Sequence, residues 1–130
     1  MAKINHLEMG DYVMSLEDIQ VKKSFMGLST KLIYKPTNSV IKIKEKEYSV
    51  EDGRKLEELL STSPESMEAT INNLSVSSIG MGNAKLQACL SDDHQFAAVQ
   101  LLTFKDFDYQ PISDVKVYTG KTAEAFTKLL

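Results

Sequence analysis

Hydrophobic and polar residues alternate along much of this chain, and a period of two predicts strands rather than helices. Ile19, Val21, Lys23 and Phe25 alternate with Gln20, Lys22 and Ser24, a half-buried strand that Gly27 breaks; Tyr12, Met14 and Leu16 give a weaker strand signal before it. Leu28, Thr30, Leu32 and Tyr34 fall on one face of the next segment, and Pro36-Thr37-Asn38-Ser39 has turn composition. Val40 to Lys44 reads as a strand with Lys42 and Lys44 on one side and Ile41 and Ile43 on the other. A tight reversal is expected at Glu45-Lys46, although no glycine supports it. Farther on, Leu86, Ala88 and Leu90 oppose Gln87, Cys89 and Ser91, and Ser91-Asp92-Asp93-His94 forms a polar hairpin loop. Phe96 to Phe104 is apolar except at Gln100 and Thr103. Such a strand is central and covered on both faces, or on one face by a partner chain. Asp106 to Pro111 reads as a loop carrying aromatic residues, and Ile112 or Val115 to Tyr118 as a further strand. Residues 1–10 read as a loosely docked N-terminus.

The period changes at two places. Ser49-Val50-Glu51-Asp52 fits a hydroxyl-x-x-acid cap, so a helix is expected from there, with Val50, Leu56, Leu59 and Leu60 as its apolar stripe. Gly53 weakens it by roughly 1 kcal/mol relative to alanine. Lys121 to Leu130 is the closing helix, with Thr119 as its cap. The two regions spell one unit twice: Tyr48 to Leu60 aligns without a gap on Tyr118 to Leu130, sharing Tyr48/Tyr118, Leu59/Leu129 and Leu60/Leu130 and matching Ser49 with Thr119. Both helices are therefore expected on the same sheet face. Between them, Ser63-Pro64-Glu65 starts another helical pattern through Met67, Ile71 and Leu74, which hands over to a strand before the Gly80–Asn83 turn.

Composition narrows the chemistry. The 130 residues suffice for one domain, 42% of them hydrophobic and 25% charged, with a net charge of −3. No apolar run reaches the length of a membrane span, and the start lacks a signal-peptide core, so a cytoplasmic location is expected. Cys89 is the single cysteine, expected as a small buried apolar residue. Arg54 is the only arginine, which disfavours specific nucleic-acid and phosphate recognition. The lysines at 42, 44 and 46 form the best basic feature, but Glu45 and Glu47 interleave with them.

Catalytic patterns are sparse. Gly120-Lys121-Thr122 matches the end of a phosphate-binding loop, yet Val115 stands where that loop needs its first glycine. Anion binding by Lys121 at the helix start stays open. Asp92, Asp93 and His94 stand about 30 Å from Asp106 and Asp108 if one strand separates them, too far to share a metal. Cys89 and His94 form a nucleophile pair only if the loop folds back on the strand. No catalytic, cofactor-binding or metal-ligating residue and no cofactor is assigned. The candidate partner-binding residues are Asp106, Phe107, Asp108 and Tyr109, because exposed aromatics anchor interfaces, together with Lys42 and Lys44.

Leu86-Gln87-Ala88, Asp93-His94 and Ala98-Val99-Gln100-Leu101 resemble a strand–turn–strand of DNA sliding clamps, whose domains repeat a strand, a helix and three strands. The resemblance covers little over a dozen residues. It departs from the family because the chain stops at the second helix and because Glu51, Asp52, Glu57 and Glu58 stand where a clamp presents lysines. No clamp residue is carried over.

The expected fold is one α+β domain, a mainly antiparallel sheet with two or three helices on one face. Its core comprises Ile41, Leu56, Leu59, Leu60, Ile71, Leu86, Leu90, Val99, Leu101, Phe104, Val117, Phe126 and Leu129. The expected function is non-catalytic: an adaptor or inhibitor acting through contact with another protein, with a homodimer as one arrangement and no membrane partner. A nucleic-acid accessory protein and a small enzyme with a loop-built site are the alternatives.

Overall fold

The structure is a computed structural model that describes residues 2–9, 12–23, 30–62, 69–73 and 83–130. Among them, strands β1 (Ala2–Met9), β2 (Tyr12–Lys23), β3 (Thr30–Tyr34), β4 (Ser39–Tyr48), β5 (Ala84–Ser91), β6 (Phe96–Lys105), β7 (Asp108–Pro111) and β8 (Lys116–Thr119) form one antiparallel sheet. They are ordered β1 to β7, with β8 beside β7 on β6. The helices are α1 (Val50–Leu60) and α2 (Gly120–Leu129), and residues 69–72 are also helical. The fold is α+β and dominated by its sheet. No described helix is long and apolar enough to cross a membrane.

β4 changes partners along its length. Only Val40 and Ser39 pair with β3, opposite Ile33 and Tyr34, while Ile41 to Tyr48 pair with β5. β6 is an interior strand: it pairs with β5 on one edge and with both β7 and β8 on the other. Ser113 fills the break between β7 and β8. Its hydroxyl accepts the Leu101 N–H at 3.0 Å, and its carbonyl accepts from the Gln100 side chain at 3.3 Å.

Two buried clusters lie against β5 and β6, divided by residue parity. Leu86, Ala88, Leu90, Ala97, Val99 and Leu101 meet Leu56, Leu59 and Leu60 of α1 and Ala123, Ala125 and Phe126 of α2, with Ile71, Tyr48 and Tyr118. Leu129 and Leu130 pack at its margin. The opposite parity, Cys89, Phe96 and Ala98, meets Met14, Leu16, Ile19, Tyr34 and Ile41. Thus the apolar β6 is buried from Phe96 to Leu102 within this chain, with both faces packed.

Several expectations change. Residues 1–10 include strand β1 rather than only a loose end; the β1–β2 register shifts between Ile4 and His6, and that irregularity hides the alternation. The two signals at Tyr12–Leu16 and Ile19–Phe25 form a single strand as far as Lys23; Phe25, Gly27 and Leu28 lie outside the described residues, as do Met67, Leu74 and Gly80. β4 runs unbroken through Glu45-Lys46, since nothing there supplies the positive φ of a two-residue reversal. Asp106 to Pro111 is a turn followed by β7, not a loop. Of the expected core, Phe104 and Val117 are about half exposed, at 47% and 50%, and Leu129 is half-buried. β8 pairs Tyr118 with Ala97, so Tyr118 takes the buried side and Val117 the outer one. Val50, assigned to the apolar stripe of α1, is exposed.

The Ser49 cap forms as expected, its Oγ accepting the Asp52 N–H at 3.1 Å. Thr119 occupies the same position on α2, but its side chain makes no capping bond. Gly53 has a second role. A Cβ there would stand 2.6 Å from the Ala84 Cβ, so glycine permits α1 to approach β5. Gly53→Ala should therefore destabilise by about 1–2 kcal/mol, since overpacking outweighs the ~1 kcal/mol gain in helix propensity. Adding Ala84→Gly should recover part of the loss; urea denaturation of both variants checks this, and a more stable Gly53→Ala protein would contradict it.

Candidate recognition hairpin and aromatic cleft

The β6–β7 hairpin closes with Lys105 opposite Asp108, leaving Asp106 and Phe107 as a two-residue turn. Both adopt positive φ, 54° and 67°. Two-residue hairpins use this conformation because its twist matches that of the strands, and they normally place glycine second. Here the second residue is a phenylalanine with its side chain in solvent, 96% exposed. A bulky residue held at positive φ is uncommon, and local strain of this kind concentrates at functional positions.

The base of the hairpin is firmly tied. Phe104 and Tyr109 are cross-strand neighbours whose rings meet edge to face, 5.3 Å apart. The Lys85 ammonium lies 4.3 Å over the Tyr109 ring and 3.8 Å from Glu45. The Tyr109 hydroxyl donates to Glu47 at 3.5 Å. Partial burial, reinforced by Glu47, pushes the Tyr109 phenol above its ordinary value. Asp106 and Asp108 are exposed beside Phe107. Four of the six residues expected to bind a partner thus share one hairpin. Lys42 and Lys44 do not join them. Lys42 pairs with Leu90, which pairs with Ala97, so it stands roughly 26 Å along β6 from the tip at ~3.3 Å per residue. Lys42 also contacts Asp92 at 3.6 Å, and Lys46 donates to the Leu129 carbonyl at 3.3 Å. The basic ladder is partly spent on the fold.

The other end of β6 has a different chemistry. A cleft of about 480 Å³ is lined by Ser15, Leu16, Glu17 and Asp18 of β2, by Tyr34 and Phe96, and by Val117 and Thr119 of β8. The Tyr34 and Phe96 rings stack at a tilt with centroids 4.5 Å apart. β2 is bulged here: Ile4 faces Ile19 and His6 faces Ser15, so one β1 residue opposes Leu16, Glu17 and Asp18. Asp18 sits at φ 61°, and its carbonyl accepts the Lys35 N–H at 3.0 Å. Burial, then the carboxylates of Asp18 and Asp93, push the Tyr34 phenol above its ordinary value. These cleft residues were not picked out from the sequence. A signal was present: the buried parity switches from Met14 and Leu16 to Ile19, as a bulge requires.

Asp93 pins the neighbouring turns. Its carboxylate accepts from the Ser91 hydroxyl at 2.6 Å and from the Gln95 N–H at 3.0 Å. Desolvation raises its pKa, but hydrogen bonds from Ser91, Gln95, Ser39 and Thr37 outweigh that and hold the carboxyl well below the usual carboxylate range. A carboxyl with a depressed folded pKa stabilises above its unfolded value, near 4, and that contribution is lost as the pH falls through the folded value. Asp93→Asn should therefore be less stable at neutral pH, with the difference from wild type narrowing below about pH 4. Urea midpoints at neutral and acid pH check this; a constant difference would contradict it.

The remaining candidates are accounted for by geometry. Cys89 is buried, and desolvation pushes its thiol up to about 12, the opposite direction from an activated cysteine. His94 is exposed at φ 62° in the β5–β6 turn. Gly120 donates its N–H to the Gln95 carbonyl at 3.1 Å, and Lys121 is exposed. No group of three or more histidine, cysteine or acidic side chains that could hold a metal lies among the described residues. No protein-family model matches this sequence, and no curated protein or solved structure matches it either.

Proposed function

We propose that this chain is a non-catalytic protein-binding module, of adaptor or inhibitor type, that inserts Phe107 into an apolar socket on another protein. The observation that carries this reading is a fully exposed phenylalanine at positive φ on the tip of a well-braced hairpin. An exposed ring on a stiff support anchors an interface at low entropic cost. Asp106 and Asp108 flank it, so the rim of the socket should carry lysine or arginine. In this reading the two helices cover one face of the sheet and leave the tip clear. A different protein is the partner in this reading; the burial of β6 through Leu102 within the chain removes the apolar run as a support for a second copy. A single buried, protonated thiol fits the cytoplasmic location that this reading assigns.

The test uses the whole chain as bait in extract of its native cell. A photo-cross-linking residue at position 106 should capture a defined protein, with capture lost on Phe107→Gly and kept on Lys42→Ala. Capture that ignores Phe107 would overturn the assignment of the tip.

A further inference from the structure

Two glutamines sit side by side inside the sheet. Strand register places Gln87 of β5 directly opposite Gln100 of β6, and the Cβ atoms of such pairs are about 4.5–5.5 Å apart. Both side chains are almost fully enclosed, at 2% and 6% exposure. Their amide nitrogens point apart. Gln87 Nε2 donates to Glu45 of β4 at 3.1 Å, and Gln100 Nε2 donates to the Ser113 carbonyl, on the far edge of β6, at 3.3 Å. A carboxylate and a carbonyl only accept, so exchanging the nitrogen and oxygen of either amide would lose its bond. A planar amide carries its oxygen away from its nitrogen. The two Oε1 atoms therefore turn back toward the seam between β5 and β6, and each is buried without a protein partner. A buried acceptor carries the full cost of leaving solvent unless a donor meets it. Ala98 and Leu102, the neighbours of Gln100 on this face of β6, bring no donor.

We propose that Gln87 and Gln100 hold one internal water molecule, which donates a hydrogen to each Oε1 and bridges β5 to β6. Water is the smallest group with two donors, and internal waters sit on buried polar groups that the fold leaves unpaired. The occupant is neutral. Glu45, the carboxylate that the Gln87 amide reaches, is already matched by the Lys85 ammonium at 3.8 Å, so a cation at the seam would stand without a counter-charge. The same contacts make the water the inner end of a polar chain. It runs through Gln87, Glu45 and Lys85 to the Tyr109 ring at the base of the hairpin. The bridge stands independently of the role given to Phe107.

The experiment is NMR of the whole chain, with Gln87→Met, Gln100→Met and the double variant, which keep side-chain length and remove the acceptor. In the wild type, the side-chain amide protons of Gln87 and Gln100 should show direct cross-relaxation with water, of opposite sign in the laboratory and rotating frames. Oxygen-17 relaxation dispersion, which counts slowly exchanging internal waters, should fall by one water in either single variant and by the same one in the double variant. Absence of the wild-type cross-peaks would overturn the proposal whether or not the variants fold. An unchanged count in both folded single variants would overturn it as well. Loss of a second water in the double variant would give each glutamine its own water and remove the bridge. Displacement of the water signal by ammonium or potassium chloride, but not by sodium chloride, would make the occupant a cation.

Discussion

A Phe107→Gly variant is expected to be more stable than the wild type and to lose its partner. The two effects have different origins. An L-residue at positive φ costs roughly 1–2 kcal/mol, which glycine avoids. Part of this gain is offset because glycine has more conformational freedom to lose on folding, about 0.5–1 kcal/mol. The net rise in stability should be about 0.5–1 kcal/mol, read as a higher urea midpoint with an unchanged slope. The exposed ring makes no described contact that would oppose this. Binding should move the other way. Truncating an aromatic anchor costs at least about 2 kcal/mol, a roughly thirtyfold loss of affinity. A less stable Phe107→Gly protein would show that the ring serves the fold, and a more stable one with full affinity would remove the tip from the interface.

Phe126→Ala should have the largest effect on stability. Phe126 is fully buried and stacks on Tyr118 with ring centroids 4.9 Å apart. It sits in the cluster that joins α1, α2, β5 and β6. Its removal should cost roughly 3–5 kcal/mol in lost transfer energy and cavity formation. That is a large share of the roughly 5–15 kcal/mol that holds a domain folded. Phe126→Leu keeps most of the volume and should cost less than about 1.5 kcal/mol. Denaturant unfolding of both variants measures the difference. A loss below about 1 kcal/mol for Phe126→Ala would mean that α2 is not docked through this ring.

Much of the architecture was legible because it rests on local periods. The alternation in β5, the apolar run of β6, the Ser49 cap and the stripe Leu56, Leu59 and Leu60 each depend on residues close in sequence. The unbroken β4 was harder, because a charged run from Lys44 to Glu47 looks like a turn until Glu45 and Glu47 are placed opposite Gln87 and Lys85. The candidate hairpin was half legible. Its aromatic and acidic residues marked it, but nothing local shows that Tyr109 folds onto Phe104 while Phe107 points into solvent. The cleft was the least visible, since Asp18, Tyr34, Phe96 and Val117 come from four strands.

One row of side chains shows the same division. Glu45, Gln87 and Gln100 are neighbours across three strands. The Gln87 amide donates to Glu45, and the Gln100 amide donates to the Ser113 carbonyl. These bonds orient both amides, and each glutamine Oε1 is buried without a protein partner. Periodicity places Gln87 and Gln100 on strands, but only strand register sets them side by side.

By itself the sequence determined the class of this protein, its capped helix and its apolar interior strand. Those properties follow from local propensity and from the period of burial, which neighbouring residues carry. The tertiary structure alone decided that β6 is buried through Leu102 within the chain, that Gly53 makes room for Ala84, that Phe107 is left in solvent and that a bulge turns Glu17 and Asp18 into one cleft. Each of these depends on which distant strands pair and in what register, and a one-residue change of register reverses the face on which every side chain falls.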